Sequence, residues 1–222
     1  QRTRQPLSTA YRHLETLKTW GLVADLGRNE GIALGPTCML IARYFDRPEH
    51  LVTVARPAMQ ELALATGESV GLMAAVGREV VCLEMIESAH PLRCAYAPGR
   101  SQPLARGASA KALLAFMSEG QRAAVIEVNL TEADVRQALL DELATVRSTG
   151  FAESEGEVDA AIWGVSAPIL AASGRLEAAL SLMAPAERAR PQRERLIALT
   201  RQMAELIGRI VRGRPELEEA AE

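Results

Sequence analysis

No apolar run in the 222 residues approaches the roughly 20 needed to span a bilayer. No charged start followed by a short apolar segment suggests a signal peptide either, so the expected location is the cytoplasm. Cysteine is scarce: Cys38, Cys82 and Cys94 are odd in number and never paired as Cys-x-x-Cys, while His13, His50 and His90 stand alone. That spacing indicates neither a disulfide framework nor a metal site. Catalytic groupings are missing too. There is no Gly-x-Ser-x-Gly, no Ser-x-x-Lys and no conspicuous carboxylate pair, so an enzyme is not expected and no cofactor is implied.

What is present is ordinary for a soluble globular chain, with 48% hydrophobic and 24% charged residues, enough for one large domain or two smaller ones. The net charge of −3 is unevenly spread. Residues 1–35 carry five Lys or Arg against three acids, which makes this the only basic end of the chain. A charge excess of that size is more often a solvated face than a binding surface, but a positive head on an acidic body suits a DNA-binding dimer.

The basic end is also the best patterned. On a helical wheel from Pro6 to Trp20, Leu7, Ala10, Leu14 and Leu17 share one face, and Ser8, Arg12, Glu15 and Thr19 share the opposite one. Pro6 suits a helix start, and Gly21 suits a left-handed end. Two short apolar pieces follow, Leu22-Val23 and Ile32-Ala33-Leu34, separated by a turn with Gly27, Arg28, Asn29 and Gly31, a small hairpin. A helix with a hairpin directly behind it is the second half of a winged helix-turn-helix, or else an amphipathic surface helix with a hairpin; both readings fit these residues. The apolar stripe is wider than one hairpin can cover and there is no initiator Met, so the expectation is a piece of a longer chain whose first helices are absent.

Pro36 to Arg47 reads as a helix that Pro48 stops, either a linker or a helix packed on its own domain. A second domain follows. Leu51, Val54, Ala55, Met59 and Leu62 recur at helical spacing up to Gly67, with a kink or fresh start at Pro57. Ser69–Val76 and Glu79–Glu87 predict a hairpin turning at Gly77-Arg78, and Leu92–Ala97 predicts a third strand ahead of a polar loop at Pro98–Leu104. Arg106 to Phe116 is a helix with a small-residue start. Its first N–H groups are either open to an anion, or the small residues merely let the helix lie close to a sheet. Helices at Gln121–Val128 and from Thr131 to Gly150, the latter with a Thr131–Asp134 capping box, lead to strands at Phe151–Glu155, Gly164–Leu170 and Leu176–Met183. A last amphipathic helix carries Leu196, Leu199, Met203, Leu206 and Ile210, before an acidic tail. Two groups of strands separated by helices make an α+β domain on a largely antiparallel sheet.

Several of these stretches resemble one family. Pro6-x-Ser8-Thr9-x-Tyr11-Arg12-x-Leu14, Gly21-Leu22-Val23 and Leu34-Gly35-Pro36 are similar to the recognition helix, turn and wing-to-linker junction of IclR-type bacterial transcription regulators. Pro103-Leu104, Lys111-Ala-Leu-Leu-Ala115, Gly150-Phe151-Ala152, Val165-Ser-Ala-Pro168, Gly174-Arg175 and Ala179-Leu-Ser-Leu182 with Pro185 resemble landmarks of the effector domain in order. The resemblance implies a partial winged helix-turn-helix over 1–35, a linker helix over 36–48, a GAF-like effector domain over 49–213 and a tail over 214–222. It implies operator DNA and a small organic acid as partners, a homodimer or homotetramer, and a repressor; the alternative is a stand-alone sensor or scaffold domain.

The residues expected at DNA are Ser8, Thr9, Tyr11, Arg12 and Arg28. Those expected at the effector are Arg106, Gly107, Ala108, Ser109, Ser154, Gly164, Ser181 and Met183, with Arg100 nearby in sequence and Met73 and Cys94 around the carbon skeleton. The family often has an acid at the position of Ser154, Cys at that of Gly164, a second Ser at that of Met183 and Gly at that of Ala110. The resemblance therefore implies a more apolar and roomier pocket.

Overall fold

The computed structural model describes residues 6–27, 31–38, 46–129 and 132–212. Two compact units divide the chain between His50 and Leu51.

In the first unit, helix α1 (Leu7–Thr19) follows Pro6 and ends at Trp20. Gly21 has φ +67, which favours glycine, and its N–H donates to the Lys18 carbonyl at 2.8 Å while the Leu22 N–H reaches the Leu17 carbonyl at 2.9 Å. That pair of bonds is a Schellman closure, which turns the chain sharply into the hairpin. Strands β1 (Val23–Asp25) and β2 (Ile32–Leu34) pair antiparallel, Val23 facing Leu34 and Asp25 facing Ile32. Lys18 holds Asp25 at 2.9 Å and Glu15 at 3.1 Å, tying α1 to β1. The base of the hairpin is tight: a Cβ on Gly35 would stand 2.1 Å from the Gly21 carbonyl oxygen. No residue of α1 is buried, and Leu7, Tyr11 and Trp20 are all more than half exposed.

Residues 36–38 are helical, and the rest of the expected linker lies outside the described residues up to 45. Pro48 does not stop a helix. It falls in the first turn of α2 (Asp46–Thr66), where a missing N–H costs no intrahelical bond. Pro57 lies inside the same helix, which neither breaks nor restarts there.

The second unit is built on a six-stranded sheet in the order β5-β4-β3-β8-β7-β6, antiparallel throughout. Its strands are β3 (Ser69–Val76), β4 (Glu79–Ile86), β5 (Ser101–Pro103), β6 (Ala152–Glu155), β7 (Ile162–Leu170) and β8 (Leu176–Pro185). Period-two alternation splits the core by face. Val70, Leu72, Val165, Ile169, Leu180 and Leu182 meet α2 and the C-terminal helix α7 (Arg193–Arg212) on one side. On the other side lie α3 (Ala108–Phe116), α4 (Glu119–Asn129) and α5 (Ala133–Thr149), packed through Leu113, Leu114, Leu139 and Leu143. A short helix, α6 (Ala186–Ala189), joins β8 to α7 through one 3-10 turn.

Two sequence expectations fail here for identifiable reasons. Leu92–Ala97 is not a strand, because its carbonyls go to side chains rather than to a ladder. Ser69 Oγ donates to Cys94 O at 2.7 Å and Arg188 Nη2 to Leu92 O at 3.1 Å, and the edge strand forms later, at Ser101–Pro103. The same Arg188 grips the buried Glu68 through two nitrogens. Helix α5 has Glu132 at its N-cap with no side-chain cap, and Thr131, with the capping box expected from it, lies outside the described residues. Of the expected stripe of α7, Leu196 and Met203 are buried and Leu199 and Leu206 pack against the core, whereas Ile210, in the last turn, is exposed; Gly208 lies against the Leu170 carbonyl. The acidic tail from residue 213 lies outside the described residues.

The contact between Gly35 and Gly21 generates a test. Gly35→Ala should accelerate amide hydrogen exchange at residue 35 and at Thr37 about tenfold or more, a loss of about 1–3 kcal/mol, with exchange in β7 and β8 unchanged.

Candidate functional site

Two cross-strand rows on the α3 side of the sheet decide where a ligand could sit. One runs Ser69, Met183, Gly164, Ser154, and the other Gly71, Ser181, Ser166, Ala152, each residue facing the next across the ladder. Except for Met183 these residues are Gly, Ala or Ser, so the floor is low and α3 can lie on it; the Cβ of Ala108 stands 3.8 Å from where a Gly164 Cβ would be. Helix and sheet are joined by a triangle of hydroxyls. Ser109 Oγ lies 3.0 Å from Ser181 Oγ, Ser166 Oγ 2.6 Å from Ser181 Oγ, and Ser166 Oγ donates to Ser109 Oγ at 3.4 Å. Ser166 and Ser181 are buried, and every member of the triangle has a partner.

Above the rows is a small cavity lined by Gly107, Ala108, Ser109, Ser154, Gly164 and Met183, together with Ser166, Tyr96 and Gln102. Six of the eight expected effector residues therefore border one space, and a seventh, Ser181, lies directly behind Ser109. Arg106 does not border it. It lines a separate outer groove of about 660 Å³ with Lys111, Glu142 and Glu157. Arg100 stacks over the Tyr96 ring at 4.2 Å and, with Met73 and Cys82, borders a neighbouring void of about 20 Å³. Cys94 is buried in the same core and is not among the residues lining the cavity.

The cavity as it stands is small rather than roomy. The free space is about 40 Å³, enough for one or two waters. The loop between β6 and β7 fills the rest with Glu157, Val158 and Asp159, residues that the sequence reading missed. An acidic run between two strands was the available signal, but only tertiary structure shows where its carboxylates go. Nor are the first N–H groups at α3 all open. Gly107, the N-cap with φ +88, donates its N–H to Glu157 Oε2 at 2.9 Å, and the Ala108 N–H donates to Ser154 Oγ at 2.9 Å. Among the described residues, the Ser109 and Ala110 N–H groups have no backbone acceptor.

Glu157 Oε1 accepts from Lys111 Nζ at 2.5 Å, and Glu142 Oε1 accepts from the same nitrogen at 2.7 Å. Lys111 is almost fully buried. Burial by itself would lower its pKa, but the hydrogen bonds to Glu142 and Glu157 outweigh that and hold it above the ordinary value. Tyr96 donates its hydroxyl to Asp159, and its pKa is raised, first by burial and then by that bond. Burial pushes the thiols of Cys82 and Cys94 up to about 11, so both are neutral at pH 7. Among the described residues no cluster of His, Cys, Asp or Glu could hold a metal ion, and no helix is long and apolar enough to cross a membrane.

In the first unit, Ser8, Tyr11 and Arg12 are exposed along α1 and Thr9 is half-buried. Arg12 has no ion-pair partner among the described residues, whereas Lys18 is engaged by two acids. Arg28 lies outside the described residues.

Comparison with known proteins adds the following. The domain family described as "Bacterial transcriptional regulator IclR C-terminal" matches residues 45–209. The HTH-type transcriptional regulator KdgR of Escherichia coli K12 is 30% identical over 191 residues, covering 83% of this chain and 73% of that protein. A crystal structure of a putative IclR transcriptional regulator from Silicibacter sp. TM1040 superposes with a TM-score of 0.81 at 25% identity, over 94% of this chain and 85% of that one. An IclR homologue from Microbacterium hydrocarbonoxydans, solved in complex with 4-hydroxybenzoate, gives a TM-score of 0.71 at 24% identity, over 94% and 87% respectively, and shares the fold.

The buried lysine provides a pH test. Lys111→Met should destabilise the protein by about 1–3 kcal/mol in urea at neutral pH, since two carboxylates lose their shared cation. The folded pKa is raised, so the Lys111 contribution is fully present below the ordinary value of 10.5 and is lost as pH rises through the folded value. The gap between parent and variant should stay flat from neutral pH to about 10 and close above that.

Proposed function

This chain belongs to the IclR family of bacterial transcriptional regulators, and on that premise we propose that it is a DNA-binding repressor whose operator affinity is set by a small organic acid held between α3 and the sheet. The observation that carries the acid is the start of α3. The N–H groups of Ser109 and Ala110 lack backbone acceptors, the helix dipole is positive there, and Ser154 can donate its hydroxyl proton while it accepts from Ala108. Ile162 and Met183 supply the apolar part of the lining, which suits a compact carbon skeleton. The relative solved with 4-hydroxybenzoate holds a molecule of that kind, a carboxylate on one ring.

The DNA contact belongs to α1 and its hairpin. Arg12, exposed beside Ser8 and without an ion-pair partner among the described residues, reaches a base edge or an adjacent phosphate, and Arg28 reaches a phosphate. One such helix covers half of a two-fold operator, so the working unit is a homodimer or a pair of dimers. Occupancy of an operator blocks it, and an acid that binds the two dimer arrangements with different affinity relieves that block.

In operator titrations with the full-length regulator, Arg12→Ala should cost about 1–3 kcal/mol and flatten sequence preference, whereas Arg28→Ala should weaken all duplexes and reduce the salt slope by about one. Equal operator affinity for both variants and the parent would remove the assignment. Ser109→Leu should fill the cavity, abolishing the response to a panel of small carboxylates that includes 4-hydroxybenzoate and leaving operator affinity intact. A response that survives in Ser109→Leu would place the effector elsewhere.

A further inference from the structure

The loop over residues 156–161 borders the cavity through Glu157, Val158 and Asp159. Asp159 accepts from the Tyr96 hydroxyl, and Val158 lies against Gly107, so close that a Cβ on Gly107 would stand 2.7 Å from it. Ala161 holds φ +60, a region that costs a residue with a Cβ about 1 kcal/mol or more. Backbone bonds hold the loop's ends, Gly156 N–H to the Ile162 carbonyl and Ala186 N–H to the Ala161 carbonyl, both at 2.8 Å, and at its centre Glu157 joins the Gly107 N–H at the start of α3 to the buried ammonium of Lys111.

We propose that Glu157 is an internal carboxylate that keeps the cavity shut, and that an effector opens it by putting its own carboxylate in the place of Glu157. This rests on reading the cavity as the effector site. Three observations converge on it. Glu157 already makes the contacts that a bound acid would make, one oxygen on a backbone N–H at a helix start and the other on a cation. Glu157 is also the wall between two spaces, since it lines both the inner cavity of about 40 Å³ and the outer groove of about 660 Å³. The inner space is far below the roughly 300–1,000 Å³ of ordinary ligand pockets, and Glu157 is the residue it shares with the groove.

The third observation is the charge balance at Lys111. Its side chain is 7% exposed and is matched by Glu142 and Glu157, while Glu157 is 31% exposed and, once displaced, has water and the Arg106 that lines the same groove to turn to. If Glu157 leaves, the buried cation keeps only Glu142. An incoming carboxylate restores the pair, whereas an uncharged molecule of the same shape does not. The exchange of one anion for another therefore selects for acids and against their amides. It also carries the event outward, because Lys111 holds Glu142 on α5, the helix that packs beside α3.

The test is calorimetry on the full-length protein with a panel of small aliphatic and aromatic monocarboxylates, including benzoate, each paired with its amide, against the parent, Glu157→Ala and Glu157→Gln. Removing the internal competitor should raise the preference for acid over amide about tenfold in Glu157→Ala. Glu157→Gln, which keeps the Gly107 hydrogen bond and the wall but not the charge, should show a smaller gain. Amide exchange over 156–161 should accelerate in both variants. Thermal melts report folding, and if Glu157→Ala fails to fold then Glu157→Gln decides. If acids bind the parent but the preference is unchanged or reduced in the variants, the displacement is wrong and the acid reading stands. If no acid binds parent or variants, or only amides bind, the acid reading falls and the displacement with it.

Discussion

Everything at the proposed effector site depends on how closely one helix can approach one sheet. Gly164, Ser166, Ser181 and Gly71 form a floor with almost no side-chain height, and α3 settles on it until Ser109 reaches the hydroxyls beneath. The close approach has a polar consequence. The buried hydroxyls of Ser166 and Ser181 need partners, and the triangle they form with the half-buried Ser109 supplies them without a charged group. On the opposite face the same strands carry Val165, Ile169, Leu180 and Leu182, so one period-two pattern builds a dry core on one side and a small-residue platform on the other.

Charge then fixes what the backbone ladder leaves loose. Glu68 and Arg188 form a buried, two-pronged pair, and Arg188 also holds the Leu92 carbonyl, anchoring a segment that has no strand partner. Lys111 does the same for the loop over the cavity through Glu157. Buried pairs of this kind add little net stability over an apolar substitute, but removing one member leaves a charge without its partner. That asymmetry makes them good devices for holding one arrangement until something of matching charge arrives.

The amino-acid sequence determined the elements wherever the period was clean. The stripe from Leu7 to Leu17 with Gly21 behind it gave α1 and its Schellman end, and Ser69–Val76 turning at Gly77-Arg78 gave the first hairpin of the sheet. Six of the eight expected effector positions gathered around one cavity because small residues at alternate strand positions have few places to go except against a backbone. Helix ends and edges were less legible. Leu92–Ala97 has the composition of a strand, yet Ser69 and Arg188, distant in sequence, take its carbonyls. Ile210 matched the helical period of α7 but lies exposed in its last turn.

Only the tertiary structure decided which charges meet. Arg106 is next to Gly107 in the chain and points into a different space, while Glu157, fifty residues on, completes the N-terminus of α3. Periodicity reports which face of an element is buried, because burial is a property of local spacing. The partner of a charge is set by where two distant loops arrive, and no local pattern records that. In this chain, sequence spacing laid out the platform and α1, and the fold chose the carboxylate that meets the start of α3.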